Sequence, residues 1–153
     1  MMSSIKLFLA ALIFAATPSM SSAESVQDLS EQLFIAAHWG YMPIVADLVN
    51  RGANVNYANP QGETAMHGAA ARGHLEVIQF LISRHANINA RTVKNWIPLH
   101  HAVRFGHVHV ADYLLTNGAP LSIKTHAGQT VFDMARSTGN IQMLNLLERY
   151  RYY

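Results

Sequence analysis

A strict internal repeat runs through most of this chain. The segment "TAMHGAAARGHLEVIQFLISRHANIN" at 64–89 returns at 97–122 as "IPLHHAVRFGHVHVADYLLTNGAPLS", with small, large and glycine positions in step. The same interval, thirty-three positions, joins three columns of identical residues: Gly40, Gly73, Gly106 and Gly139; Ala36, Ala69, Ala102 and Ala135; and Leu48, Leu81, Leu114 and Leu147. A fixed period of this length is typical of a solenoid. The four predicted units lie at about 26–58, 59–91, 92–124 and 125–150.

Within each unit the pattern predicts two short helices joined by a glycine turn. In the second unit, small and apolar residues lie on one face of a helix over about 64–72, and Gly73 follows where the chain must reverse. A second helix is predicted over about 75–83, and the third unit repeats the first helix over 97–105. Helices of about nine residues are marginal alone in water. Each pair must therefore pack against its neighbours, which predicts an all-α stack of about four helix-turn-helix units.

The repeated segment resembles the ankyrin repeat. Both quoted segments are similar to the ankyrin pattern T-P-L-H-x-A-A-x-x-G-H-x-x-V-x-x-L-L-x-x-G-A-x-x-N, and the likeness covers about 26–150. The resemblance implies an all-α, ankyrin-type solenoid with short β-hairpin loops, in a domain over 24–153. In that family the Thr of the motif caps the first helix and the His joins neighbouring turns by hydrogen bonds. Thr64 and His67 stand at those two positions.

His85 departs from the repeat in a way that predicts backbone strain. The first and third units have Gly52 and Gly118 at the same position. Glycine adopts a left-handed backbone without steric cost, whereas a residue with a Cβ does not. If the position is left-handed in every unit, histidine is a strained choice there.

The N-terminal segment 1–23 has the layout of a secretory signal peptide. Lys6 precedes a ten-residue apolar run at 7–16, Pro18 breaks the run, and small residues end the segment at Ala23. Ten residues are too few to cross a bilayer, which takes about 20. We therefore expect cleavage after Ala23 and an exported protein, periplasmic or secreted. An uncleaved membrane anchor is the alternative.

The composition of residues 24–153 limits the classes of partner. They carry ten basic and nine acidic side chains, a formal charge of +1, which gives no electrostatic footprint for nucleic acid. The chain has no cysteine, which excludes disulfides and a thiol nucleophile. No long apolar run follows Ala23, so we expect no membrane partner once the signal is removed. We also expect a monomer.

Nine histidines are the reason to consider a metal site. Four of them follow the repeat in two columns: His67 and His100, and His74 and His107. Four others stand at variable positions: His38, His101, His109 and His126. The sequence contains neither H-E-x-x-H nor a glycine-rich phosphate loop nor G-x-S-x-G. We therefore predict no metal, no cofactor and no catalysis, and keep a histidine-based metal-binding or small hydrolytic protein as the alternative.

Protein recognition is the function that the variable positions favour. In ankyrin-like stacks the hairpin tips and the exposed side of the first helices form a concave face. Both tryptophans of the chain are predicted to lie there, and Trp and Arg are enriched at binding hot spots. The predicted partner-binding residues are Trp39, Arg72, Lys94, Trp96, Arg104, Phe105 and His126. The competing interpretation is that both tryptophans pack against neighbouring repeats.

The sequence thus predicts a non-catalytic protein–protein interaction module. We expect an exported ankyrin-repeat protein that binds a protein partner of some acidic character through its concave face.

Overall fold

The computed structural model describes residues 25–152, which form a stack of four helical hairpins. This range contains eight α-helices and no β-strand. The helices are α1 Val26–Trp39, α2 Met42–Asn50, α3 Ala65–Arg72, α4 Leu75–Ser83, α5 Pro98–Arg104, α6 Val108–Thr116, α7 Val131–Thr138 and α8 Ile141–Tyr150. The predicted signal peptide at 1–23 lies outside the described residues. The predicted all-α repeat solenoid is confirmed.

The helices form two layers. The odd-numbered helices pack on one another in chain order, and the even-numbered helices do the same behind them. The core lies between the layers, where the repeated leucine column is at most 1% exposed in every unit. Burial on this scale is the dominant favourable term in folding, and here each helix obtains it from the neighbouring units.

The turn after the first helix of a unit is also a joint between units. Gly73 ends α3 in the left-handed conformation, with φ of 78°. A Cβ at this glycine would lie 2.5 Å from Nδ1 of His107. The same imidazole donates from Nε2 to the carbonyl oxygen of Ala71, at 3.1 Å. The shared spacing of glycine and histidine therefore reflects a single contact, in which the missing side chain makes room for the ring of the next unit.

A second histidine column joins the helix starts to the next unit. The backbone N–H of Thr64 donates to Nδ1 of His67, at 3.1 Å. Since Nδ1 accepts, Nε2 carries the proton and donates to the carbonyl oxygen of Trp96, at 3.2 Å. His100 repeats the second bond, to Ile123, also at 3.2 Å. The linking role that the ankyrin resemblance implies for the histidine is present in both units.

Between the hairpins the chain forms tight loops whose ends are closed by one backbone hydrogen bond. The closing pairs follow the period of the repeat, from Asn59 to Glu63, Thr92 to Trp96 and Thr125 to Gln129. The loops are also bonded to each other, because Val93 donates to Gln61 at 2.9 Å and His126 donates to Lys94 at 3.0 Å. The predicted hairpin loops therefore form as a row of turns, without strands in residues 25–152.

Candidate functional site

Two adjoining cavities run along the side of the stack that carries the odd-numbered helices and the loop tips. One, of about 410 Å³, is lined mainly by α1 and α3. The other, of about 480 Å³, is lined by the tips of the second and third units and by the end of α5. Glu63, Ala71 and His101 line both. We call the two cavities together the inner groove; it occupies the face predicted to be concave.

Arg72 lies over an aromatic ring at one end of the inner groove. Its guanidinium carbon is 5.2 Å from the centre of the Trp39 ring. Its Nε donates to Nε2 of His38, at 3.1 Å, which requires His38 to be neutral. Burial, followed by the charge of Arg72, lowers the pKa of His38 and favours that neutral form. Two contacts thus hold the guanidinium against the indole, an arrangement that favours cation–π attraction.

Arg104 makes the corresponding contact at the other end. Its guanidinium carbon is 5.6 Å from the centre of the Trp96 ring. The same indole packs against the rings of His100 and His101, at 6.0 and 5.1 Å between centres. Trp96 is half-buried, so the packing interpretation describes one face of this ring while the rest lines the groove. Trp39 and Phe105 remain 42% and 56% exposed, which leaves apolar surface available for contact.

The structure brings six of the seven predicted partner-binding residues together. Trp39, Lys94, Trp96, Arg104 and Phe105 line the inner groove, and Arg72 stacks on Trp39. His126 lies on the next loop tip, exposed and outside the lining of both cavities. Their role in binding stays a prediction.

Sequence reasoning missed the residues that form the floor of the groove. Ile35, Gly68 and His101 occupy one column of the repeat, and each lines at least one cavity. Each stands four residues before a member of the column that holds Trp39, Arg72 and Phe105. Residues four apart lie on the same face of a helix. This spacing could have revealed them, because residues one helical turn before an exposed column lie on the same face and also line the groove.

His101 is the unusual side chain of the floor. Its ring lies 5.4 Å from that of His67 and 5.1 Å from that of Trp96. Among residues 25–152, its buried Nε2 has no hydrogen-bond partner. Burial, with a smaller contribution from the charge of His67, lowers the pKa of His101 to about 3. The groove therefore has a neutral, unsatisfied imidazole beneath its centre.

Within the described residues, the arginines of the groove have no acidic partner of their own. The ion pairs of this part of the chain lie elsewhere, at Arg51–Asp47, Arg136–Asp133 and Arg151–Glu148. Glu63 is the acidic lining residue of both cavities, and its carboxylate accepts from Nδ2 of Asn59 at 3.3 Å. The two ends of the groove are thus positive and its centre carries one negative charge.

The variable histidines are spread over different elements. His38 lies on α1, His101 on α5, His109 on α6 and His126 on a loop tip. In the part of the chain that the structure describes, no three His, Asp or Glu side chains are grouped as metal ligands. The alternative of a metal-binding or hydrolytic protein therefore gains no support from the geometry.

The fold itself defines the class of protein. It is a solenoid of stacked helical hairpins with an open groove along its inner helices. A family model for ankyrin repeats in three copies matches residues 11–92 and 33–125. The chain belongs to the ankyrin-repeat family, whose members generally serve as protein–protein interaction modules and are typically non-catalytic. A comparison with curated proteins found no match. Within residues 25–152, every helix is too short or too polar to traverse a bilayer.

Proposed function

We propose that this protein is a non-catalytic interaction module that binds a segment of a protein partner in the inner groove. One observation carries the proposal: two arginines that have no acidic partner among the described residues each lie over a tryptophan, at opposite ends of one groove. Tryptophan and arginine are among the side chains most enriched at the hot spots of protein interfaces. We propose that the protein acts as a monomer.

The test removes the aromatic surface of the groove. In a Trp96→Ala, Phe105→Ala double variant we expect the loss of the partners that the unaltered protein retains in affinity purification. Truncation of central aromatic anchors costs about 2 kcal/mol or more each, enough to abolish capture of a micromolar partner. The helical circular dichroism spectrum should be unchanged, because Phe105 is exposed and Trp96 is half-buried.

A matched control changes exposed apolar residues away from the groove. Ile141 and Tyr152 are exposed and line neither cavity, so an Ile141→Ala, Tyr152→Ala variant should retain the same partners. Trp96→Ala removes a half-buried ring and can destabilise the fold. Phe105→Ala is therefore also tested alone, after its melting temperature is shown to equal that of the unaltered protein. If the double variant and Phe105→Ala both still capture the partners, the proposal is contradicted.

We also propose that the protein functions after export, periplasmic or secreted. The support is the charge, the apolar run and the small-residue ending of segment 1–23. Mass spectrometry of the protein from its native host should find a mature chain that begins at Glu24. A chain that keeps its N-terminal segment in the native host would contradict cleavage.

A further inference from the structure

We propose that the partner segment of the inner groove is extended and carries two carboxylate side chains about four or six residues apart, separated by residues that are not acidic. This inference rests on the proposed function and names the chemistry of the partner. One carboxylate would contact Arg72 and the other Arg104.

Both guanidinium groups have hydrogen-bonding capacity that the described residues do not use. Arg72 makes one hydrogen bond to described residues, through Nε to His38, and Arg104 makes none to them. Neither has a carboxylate partner in residues 25–152. The outer edge of each guanidinium is therefore available. A planar guanidinium binds a carboxylate through two parallel hydrogen bonds, which gives direction as well as energy.

Both arginines are held in place before a ligand arrives. Each is stacked on an indole, and Arg72 is fixed further by His38. Flexible basic side chains lose conformational entropy when they bind, and restraining them in advance reduces that cost. The stacked pairs are therefore better suited to discrete carboxylates than unrestrained surface lysines would be.

The spacing follows from the position of the two pairs along the stack. Arg72, on α3, reaches back to Trp39 of the first unit, whereas Arg104 lies over Trp96 of its own, third unit. The pairs are thus between one and two helix spacings apart, at about 8–10 Å for each spacing. An extended chain rises about 3.3 Å per residue. Successive side chains of an extended chain point to opposite sides, so both carboxylates face the groove only at even separations. Carboxylates about four or six residues apart fit this range, and adjacent carboxylates do not.

The position of Glu63 favours a protein segment over a nucleic acid as the ligand of the inner groove. It lines both cavities, between the two positive ends. A polynucleotide carries a phosphate at every step and would place one of them against this carboxylate, which is unfavourable. A peptide with acidic residues only at its two ends avoids the repulsion. For the same reason, an acidic residue in the middle of the peptide should weaken binding.

The test uses labelled synthetic peptides in a neutral Gly/Ala/Ser background and measures fluorescence anisotropy with the purified protein. Two glutamates are placed at separations from one to six. We expect the tightest binding at separations of four or six, with the adjacent pair weaker by about tenfold, since it reaches only one arginine. Arg72→Gln and Arg104→Gln should each weaken the best peptide by about tenfold and remove the dependence on spacing.

Control variants and competitors make the result specific. Arg51→Gln removes an arginine that pairs with Asp47 and lies outside the groove, and it should leave binding unchanged. A third glutamate in the middle of the best peptide should weaken it, and Glu63→Gln should restore it.

Four results would overturn the inference: equal binding of neutral and acidic peptides, no dependence on spacing, tighter binding of a poly-dT oligonucleotide, or no binding of any two-carboxylate peptide at millimolar concentration. The proposed function is tested by a different experiment, and it fails if the Phe105→Ala variant still captures the partners of the unaltered protein.

Discussion

His85 shows how a single residue can be identified as strained from the repeat alone. Glycine occupies its position in the first and third units, and the structure gives His85 a φ of 63°. The predicted left-handed conformation is confirmed. A Cβ in this region meets the following carbonyl oxygen, which costs about 1–2 kcal/mol. The backbone N–H of Ala86 donates to the carbonyl oxygen of Leu81, at 3.0 Å, and this bond closes the end of α4 across the left-handed residue.

We predict that His85→Gly raises the free energy of unfolding by about 0.5–1 kcal/mol. Glycine removes the steric cost of the left-handed backbone, and the greater flexibility of the unfolded chain offsets only part of that gain. Urea unfolding followed by circular dichroism measures the change. His109→Gly is the matched control, since His109 is exposed on α6 and glycine inside a helix costs about 1 kcal/mol. The same substitution should therefore act in opposite directions at the two sites.

His101 has the opposite problem, a buried polar atom without a partner among the described residues. Its column contains Met134 in the fourth unit, where the side chain is 2% exposed. We predict that His101→Met raises the free energy of unfolding by about 1 kcal/mol, because an unpaired buried nitrogen costs about 1–3 kcal/mol and methionine has none. Denaturant titration near neutral pH measures the effect. A lower stability would show that the imidazole has a partner or packs better than a thioether.

At the scale of elements, the sequence predicted the helices closely. The second helix of the second unit was predicted over about 75–83 and is α4, Leu75–Ser83. The first helices were predicted over 64–72 and 97–105, and α3 and α5 begin one residue later because Thr64 and Ile97 are extended capping residues. Helical periodicity and turn glycines are local signals, so they locate helices before any packing is known.

The joint between units at Gly73 gives a prediction at this scale. Gly73→Ala should lower the free energy of unfolding by more than about 2 kcal/mol, since the methyl group both opposes a left-handed backbone and displaces the ring of His107, which is 2.5 Å away.

Gly118→Ala separates the two causes. Gly118 also has positive φ, at 88°, but a Cβ there would have no atom within 4 Å. It should cost only the backbone term, about 1–2 kcal/mol. Equal losses at Gly73 and Gly118 in urea unfolding would mean that the contact with His107 contributes nothing.

At the scale of the whole molecule, the buried histidines couple stability to pH. Burial lowers the pKa of His100 to about 4 and of His101 to about 3, and it also lowers that of His67. The unfolded chain takes up protons near the ordinary pKa of about 6.5. Below that pH the unfolded state binds protons that the folded state does not bind, so the free energy of unfolding decreases as pH falls.

We therefore predict that the free energy of unfolding is constant with respect to these groups above about pH 6.5 and falls from there towards about pH 4, by up to about 1.4 kcal/mol per pH unit for each histidine. Urea unfolding at several pH values across this range measures the slope. His101→Met removes one of the three groups and should make the slope shallower. A slope that is unchanged in this variant would contradict the buried, neutral state of His101.

The sequence by itself determined the period, the helices, the left-handed conformation at Gly73 and His85 and the histidines that join the units. Each of these depends on residues within one unit or on the residue type that recurs at one repeat position, and both can be read from the amino-acid sequence. The tertiary structure alone decided how the inner groove is assembled. Arg72 lies over a tryptophan of the preceding unit while Arg104 lies over one of its own, and the buried Nε2 of His101 has no hydrogen-bond partner among the described residues. These contacts depend on how far side chains reach across the packed stack, which the spacing of residues along the chain does not specify.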